Sequence, residues 1–578
     1  MKSNALFYGD NLVWLRDHKY FPDESVDLIY LDPPFNSKAD YNVLFNEPGK
    51  GGKSQAQIQA FDDTWDWSSE ASEVAYNELA KDKPQVAEFI SWLSRQGKPQ
   101  ESMAAYLSMM AVRIVELHRV LRSSGSLYLH CDPTASHYLK VVLDVIFGET
   151  NFKNEIIWRR TGSNSAAKRL GPLHQTILYY GKSKETYFKP VYLPYTKGYI
   201  DEYFTEQDER GRYRPVLLTG PGIRHGDSGN PWRGYNPTSA GRHWQPSSYV
   251  YDKYRKITGK DLAQYPLVER LDELDKVGLI HWAKKKGGGV PNYKYYLDDA
   301  PGVALQDLWA YQPGTEGCVY KSLDGIDQDV KWLSTKDRER LGYQTQKPMG
   351  LLERIVQTSS KKGDTVLDPF CGCGTTIDAA QKLGRLWLGI DVTWLAIDLV
   401  EKRLKTTYGS KIVNTYEVKG RPKDVASARA LAKKSKKEFE IWAVTSVGAA
   451  PREHDGGVDG SFGFVERDKK TRLIVVQAKG GDTLNPGMVR DLIGTVKKES
   501  AAIGLLVTLK EPTLGMIKLA VHSEPYKSEL WNTEYPSIQI RTVAQLLEGK
   551  GFDLPPTQSP LKNAQLSKEK GHQLSQDI

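Results

Sequence analysis

Apolar and polar positions alternate with two different periods along the first 150 residues. Short apolar runs, "ALFYGD" at 5–10, "SVDLIYLD" at 25–32 and "GSLYLHCD" at 125–132, read as buried strands that each end on an acid. The stretches "YLSMMAVRIVELHRVLR" and "ASHYLKVVLDVIFG" space their apolar side chains three and four apart, as one helix face requires. Strands alternating with helices predict an α/β sheet. Between about 160 and 340 the periodicity fades, and Gly, Pro, Trp, Tyr and Arg take over, most densely in "RHGDSGNPWRGYNPTSAGRHW". Order returns near 345 with "LLERIVQTSS" and "DTVLDPFCGCGTTIDAAQKLGRLWLGID".

These shifts predict an α/β part over 1–160, a distinct segment over 161–340 and a second α/β part over 341–415. A basic linker or helix is expected over 416–437, a separate α/β domain over 438–550 and a frayed polar tail over 551–578. No internal repeat is visible.

A chain of 578 residues has room for roughly three to four domains. No run of about 18 apolar residues occurs, so no membrane span is expected. "MKSNALFYGD" lacks the basic-then-apolar order of a signal peptide. Cys131, Cys318, Cys371 and Cys373 form neither a disulfide framework nor a paired zinc motif, which predicts a reduced, cytoplasmic protein. The net charge of +8 suits a polyanionic partner without requiring one.

Two loops carry candidate chemistry. In "LDPPF", Asp32 stands where an apolar strand leaves the sheet. Pro33 and Pro34 stiffen the turn and supply no N–H, and Phe35 adds a flat ring. A carboxylate, a fixed carbonyl and a ring suit a planar molecule bearing an amino group. In "VLDPFCGCGTT", a strand leads through Asp368 into Gly372 and Gly374 and then a helix, the layout of a nucleotide-type ligand site. Asp391 ends the next strand 19 residues after Gly372, close to the spacing of about 20 at which an acid meets ribose hydroxyls.

"DPFCGCGT" resembles motif I, and "DPPF" motif IV, of S-adenosylmethionine-dependent methyltransferases that act on amino groups of DNA bases. "GDNLVWL" at 9–15 resembles the segment whose acid, here Asp10, meets the cofactor's adenine. "TQKPMGLLERIV" from Thr345 resembles motif X, beside the methionine end of the cofactor. Motif IV preceding X and I is the circularly permuted order of the β class, and the likeness spans roughly 4–410. The resemblance implies a permuted Rossmann-like methyltransferase fold with 161–340 inserted as the domain that reads double-stranded DNA. It implies cofactor contacts from Asp10, Lys347, Asp368, Phe370, Gly372, Gly374, Thr375 and Asp391. Many relatives carry Glu where Asp391 stands, and Asp also accepts from ribose hydroxyls.

The chemistry fits that implication. An exocyclic amine is a poor nucleophile because its lone pair is delocalised into the ring. Asp32 and the Pro33 carbonyl would each accept one N–H, Pro34 would keep the turn rigid, and Phe35 would stack on a base flipped from the duplex. The DPPF form resembles adenine-N6 enzymes more than cytosine-N4 ones, which often carry Ser at the place of Asp32. Arg224, Arg233, Arg242 and His243, interleaved with Trp232 and Trp244, are candidate DNA contacts. The alternative is that the tryptophans are core and the arginines solvated.

Near the C-terminus, Asp459 precedes a strand in which Gln477 and Lys479 alternate onto one face. With "HDGGVDGSFGF" and "RLIVVQAKGG", this resembles the PD-(D/E)xK nuclease fold of the Mrr-like kind, with Gln in place of the second acid. The resemblance implies metal ligation (Mg²⁺) by Asp459 and Gln477, water activation by Lys479 and a further acid from Glu440. The other readings of this domain are a DNA-binding module that does not cleave and an ordinary α/β domain with a surface Lys; for the whole chain the rival is a catalytically silent DNA-binding scaffold. The sequence leaves monomer and homodimer equally open.

Overall fold

The computed structural model describes residues 4–34, 42–44, 57–59, 70–162, 170–283, 290–334, 337–341, 343, 345–452, 457–468 and 470–555. The chain divides into two compact units, one of 1–189, 307–311 and 329–578, the other of 190–306 and 312–328.

The first unit is built on a nine-stranded mixed sheet. Its strands are β1 (Asn4–Tyr8), β2 (Val26–Leu31), β3 (Leu121–Cys131), β4 (Phe152–Arg159), β5 (His174–Gly181), β6 (Leu308–Trp309), β7 (Thr365–Asp368), β8 (Leu386–Asp391) and β9 (Tyr416–Lys419). They lie in the order β6-β4-β5-β3-β2-β7-β8-β1-β9. The run from β3 to β9 is parallel, whereas β5 is antiparallel to both neighbours. Parallel strands covered on both faces read as continuous apolar runs, and β1, Asn4–Tyr8, is buried throughout. Helix α2 (Lys98–Val120) and helix α3 (Ser136–Phe147) supply much of that cover. In α3 the buried Leu139, Val142, Leu143, Ile146 and Phe147 keep helical spacing, and Gly148 ends the helix at φ +87°.

The division of the chain differs from that expected at residue 160. "TILYYG" forms most of β5 and joins the large sheet, so the separate unit begins at Pro190. That unit holds a four-stranded sheet of Glu206–Asp208, Gly211–Leu217, Ile280–His281 and Asn292–Tyr296, with helices Ser248–Thr258 and Leu267–Lys276. Its core contains Trp232 and Trp244, 3% and 2% exposed, with Leu271, Leu274 and Tyr254. The basic segment at 421–437 contains a helix, Val425–Lys434, whose capping box pairs Asp424 with Ser427.

The C-terminal part of the first unit carries its own five-stranded sheet. β10 (Ala450–Pro451), β11 (Gly460–Val465) and β12 (Thr471–Lys479) are antiparallel, and β13 (Ile503–Thr508) and β14 (Ile538–Thr542) continue parallel to β12. Val475, Val489, Leu492, Leu506, Met516 and Ile538 form its core. No helix among the described residues is long and apolar enough to cross a membrane.

Candidate functional site

Three adjacent parallel strands deliver the first constellation. β2 pairs with β7 (Leu28 opposite Val366, Ile29 opposite Leu367), and β7 pairs with β8. Asp32, Asp368 and Asp391 therefore leave the sheet at the same edge, where ligands of open α/β sheets bind. Asp32 and Asp368, 336 residues apart in sequence, become neighbours through strand register alone.

The glycine loop after β7 is braced from β8. The Gly372 N–H donates to Asp391 Oδ2 at 2.9 Å, and the Cys371 N–H to the Ile390 carbonyl at 3.0 Å. Asp391 Oδ1 accepts from the Thr393 N–H at 2.9 Å and the Thr393 hydroxyl at 2.8 Å. Gly372 and Gly374 take φ values of +48° and +77°, which L side chains rarely adopt. A Cβ at Gly374 would lie 2.7 Å from Val400 Cγ2, and one at Gly372 would lie 3.1 Å from the Tyr343 ring. Gly374 leads into helix α5 (Thr375–Lys382), whose first residue, Thr375, is held by Arg403 at 2.8 Å. Phe370 is partly buried and donates its N–H to Asp368 Oδ1 at 3.1 Å.

Asp10 caps helix α1 (Asn11–Leu15) by accepting the Leu12 N–H at 2.8 Å. Arg113 of α2 reaches both Asp10 oxygens at 3.0 and 3.2 Å and Asn11 Oδ1 at 2.6 Å. Asn11 in turn donates to the Pro369 carbonyl at 2.8 Å. Asp10 is thereby tied to the glycine loop through Asn11, its neighbour in the same segment, and through Arg113, which carries no motif signal.

Electrostatics mark the same edge. Burial raises the carboxyl of Asp368 to about 7, and Asp32 and Asp391 push it the same way. Burial also raises Asp32 and Asp391. Lys347 opposes the rise at Asp32: its ammonium donates to Asp32 Oδ2 and to the Thr345 carbonyl, the latter at 3.2 Å. Lys347 was expected at the cofactor; the structure places it on Asp32. Tyr343 lies over Gly372, and its hydroxyl is raised by burial and by the fields of Asp391 and Asp32. Beneath Asp32, the Tyr30 hydroxyl meets His130 Nδ1 at 2.8 Å, and His130 Nε2 meets Gln175 at 2.9 Å. Pro33 and Pro34 are buried; Phe35 lies outside the described residues.

The residues expected to touch DNA are less uniform. Arg224 is exposed. Arg233 is paired with Asp272 and Asp275 and lies 5.2 Å over the Trp232 ring. Arg242 donates to the hydroxyl and carbonyl of Thr219 at 2.7 and 2.8 Å. His243 is buried, with Nδ1 2.9 Å from the Gly222 carbonyl.

In the C-terminal sheet, Asp459 Oδ2 accepts the Ala478 N–H at 2.7 Å, and Gln477 donates its amide N–H to the Gly457 carbonyl. Glu440 stands on helix α6 (Lys436–Ser446). Its carboxyl is raised by burial first and by Asp459 second, and lowered by Lys436, Lys437 and Lys479. Glu440, Asp459 and Lys479 thus share one electrostatic neighbourhood. Among the described residues, no three His, Cys, Asp or Glu side chains are grouped to hold a metal. Two carboxylates and an amide oxygen are nonetheless a hard donor set, and Mg²⁺ commonly takes only one or two carboxylates.

Comparison with known proteins finds a match for each part of the chain. A DNA methylase family model (N6_N4_Mtase) matches residues 26–402, and a restriction endonuclease model (Mrr_cat) matches 433–533. Type II methyltransferase M.EcaI of Enterobacter cloacae is 30% identical over 402 residues, 69% of each chain. The type III restriction-modification enzyme StyLTI Mod subunit of Salmonella typhimurium is 26% identical over 66% of this chain and 50% of its own length. The solved PvuII DNA methyltransferase (cytosine-N4-specific) aligns over 72% of this chain and 95% of its own at 12% identity. Its TM-score is 0.29. With its sheet-edge acids and glycine loop inside the matched span, this chain belongs to the N6/N4 DNA methylase family and carries a C-terminal Mrr-type restriction endonuclease domain.

Proposed function

We propose that the chain moves a methyl group from S-adenosylmethionine to the exocyclic amine of a base in double-stranded DNA, adenine N6 in preference to cytosine N4. The observation that carries this reading is the shared sheet edge of Asp32, the Gly372–Gly374 loop and Asp391. The cofactor brings an electrophilic methyl on a positively charged sulfur. Gly372 and Gly374 would let the loop backbone approach it, and Asp10 and Asp391 would accept from its adenine and ribose. Asp32 and the Pro33 carbonyl accept the amine's N–H bonds, aim its lone pair and stabilise the charge that develops on nitrogen. The unit at 190–306 and 312–328 serves as the reader of DNA sequence in a circularly permuted methyltransferase.

The C-terminal domain is proposed to cleave DNA through a PD-(D/E)xK-like site, which makes the chain a single-polypeptide restriction–modification protein. Glu440, Asp459 and the Gln477 carbonyl would hold Mg²⁺, and Lys479 would orient the attacking water.

Mass spectrometry of nucleosides from DNA incubated with the protein and S-adenosylmethionine tests the first activity. N6-methyladenine is expected; N4-methylcytosine would correct the base, and neither product would end the reading. Supercoiled plasmid with Mg²⁺ tests the second. Nicked or linear product that disappears in Lys479→Ala is expected, and intact plasmid with the unmodified protein would leave a domain that only binds DNA.

A further inference from the structure

Lys347 and Asp32 lie 315 residues apart and meet in an ion pair with side chains only 8% and 15% exposed. Burying two charges is expensive, and such a contact persists only where the fold holds both partners. The fold does so here. Gln346 donates to the Glu339 carbonyl and accepts the Leu341 N–H, both at 2.8 Å. The Met349 N–H donates to Glu339 Oε1 at 2.7 Å at the start of helix α4 (Met349–Ser359). Lys347 therefore sits on a turn fixed on both sides, with its ammonium set by Asp32 and the Thr345 carbonyl.

We propose that Lys347 is a positioning residue for methyl transfer: it docks on one oxygen of Asp32, keeps that side chain a carboxylate, and leaves the other oxygen to accept the incoming amine. This rests on the amine-methylation reading above. The groups that feel the charge of Asp32 support it. Tyr30 on β2, Cys131 on β3, Asp368 on β7 and Tyr343 before α4 are neutral or acidic. His130 is held neutral by burial, with Lys347 adding to that effect. Lys347 is the cation that offsets desolvation at Asp32.

The pairing has a chemical purpose. As the amine's lone pair forms the N–CH₃ bond, the C–S bonding pair stays on sulfur, which becomes a neutral thioether. The nitrogen then carries a surplus proton, which passes to the Asp32 carboxylate and from there to solvent. An Asp32 already protonated could not accept it.

The test is Lys347→Met with Lys347→Arg as the conservative control, each compared with the unmodified protein. Three readouts are taken: the pH profile of kcat for methyl transfer, S-adenosylmethionine affinity by calorimetry, and the infrared band of a protonated carboxyl assigned by its loss in Asp32→Asn. In Lys347→Met the acidic limb should move up by about 1–3 pH units, the shift an opposite charge commonly causes. Activity should recover at alkaline pH, and the protonated band should persist to higher pH than in the unmodified protein. Lys347→Arg should restore the limb, and cofactor affinity should change less than about threefold, under 0.7 kcal/mol. An unmoved limb, a band that titrates at the same pH as in the unmodified protein, or weakened cofactor binding as the whole effect would overturn the proposal. The infrared readout needs no turnover, so a protein inactive in methylation would sink the functional reading while leaving this one decidable.

Discussion

Asp391→Asn is the sharpest perturbation of the cofactor loop. Asp391 receives three hydrogen bonds, from the Gly372 N–H on Oδ2 and from the Thr393 N–H and hydroxyl on Oδ1. An asparagine can keep its oxygen towards Thr393, but its amide nitrogen then faces the Gly372 N–H, donor against donor. The substitution removes one charge-assisted hydrogen bond, leaves a buried N–H without an acceptor and weakens the two bonds that remain. That is a loss of about 2–4 kcal/mol in holding the loop closed. Read as amide exchange in the ligand-free protein, protection at Gly372 should fall about 30- to 700-fold, since each 1.4 kcal/mol is tenfold. The exchange of β13, in the C-terminal five-stranded sheet, should be unchanged. Gly372 protection within about threefold of the unmodified protein would refute the idea that Asp391 braces the loop.

Two further substitutions probe the same edge. Gly374→Ala forces a side chain into φ +77° with its Cβ 2.7 Å from Val400. Chemical denaturation should show about 2–4 kcal/mol of destabilisation, the sum of left-handed strain and overpacking; a loss below about 0.5 kcal/mol, the range of an ordinary surface change, would contradict that geometry. Asp368→Asn should change the pH dependence of stability. The folded Asp368 carboxyl is raised to about 7 from an ordinary 3.8, so its folded state favours the proton. The stability it contributes is full below the unfolded value and is lost as pH rises through the folded one. The variant should therefore gain on the unmodified protein between about pH 4 and 7 and stay level above. Parallel stability curves across that window would show that Asp368 ionises normally.

The apolar runs that end on acids were legible as strands because a strand buried on both faces has few polar positions to confuse it. The glycine loop and DPPF were legible because their backbones demand particular residues. That they meet follows from the register of β2, β7 and β8, which no local signal encodes; the resemblance supplied it. Lys347 was expected at the cofactor because its motif flanks that end, but its charge partner lies 315 residues away. Arg113 carried no signal, since an arginine within a helical stretch reads as solvated surface until its contact with Asp10 is known. Trp232 and Trp244, read as candidates for the DNA face or for core, are core. The "TILYYG" strand was absorbed into the variable segment because composition there outweighed its own periodicity.

The central claim is that Asp32 works on the amine of a DNA base beside the glycine loop. Single-turnover transfer of labelled methyl from S-adenosylmethionine to DNA, compared between the unmodified protein and Asp32→Asn at equal cofactor occupancy, tests it most directly. The account predicts label on a base amine with the unmodified protein and a rate lower by about 10²–10³-fold in the variant, the loss typical when a group stabilising developing charge is removed. Equal rates in the two proteins would contradict it.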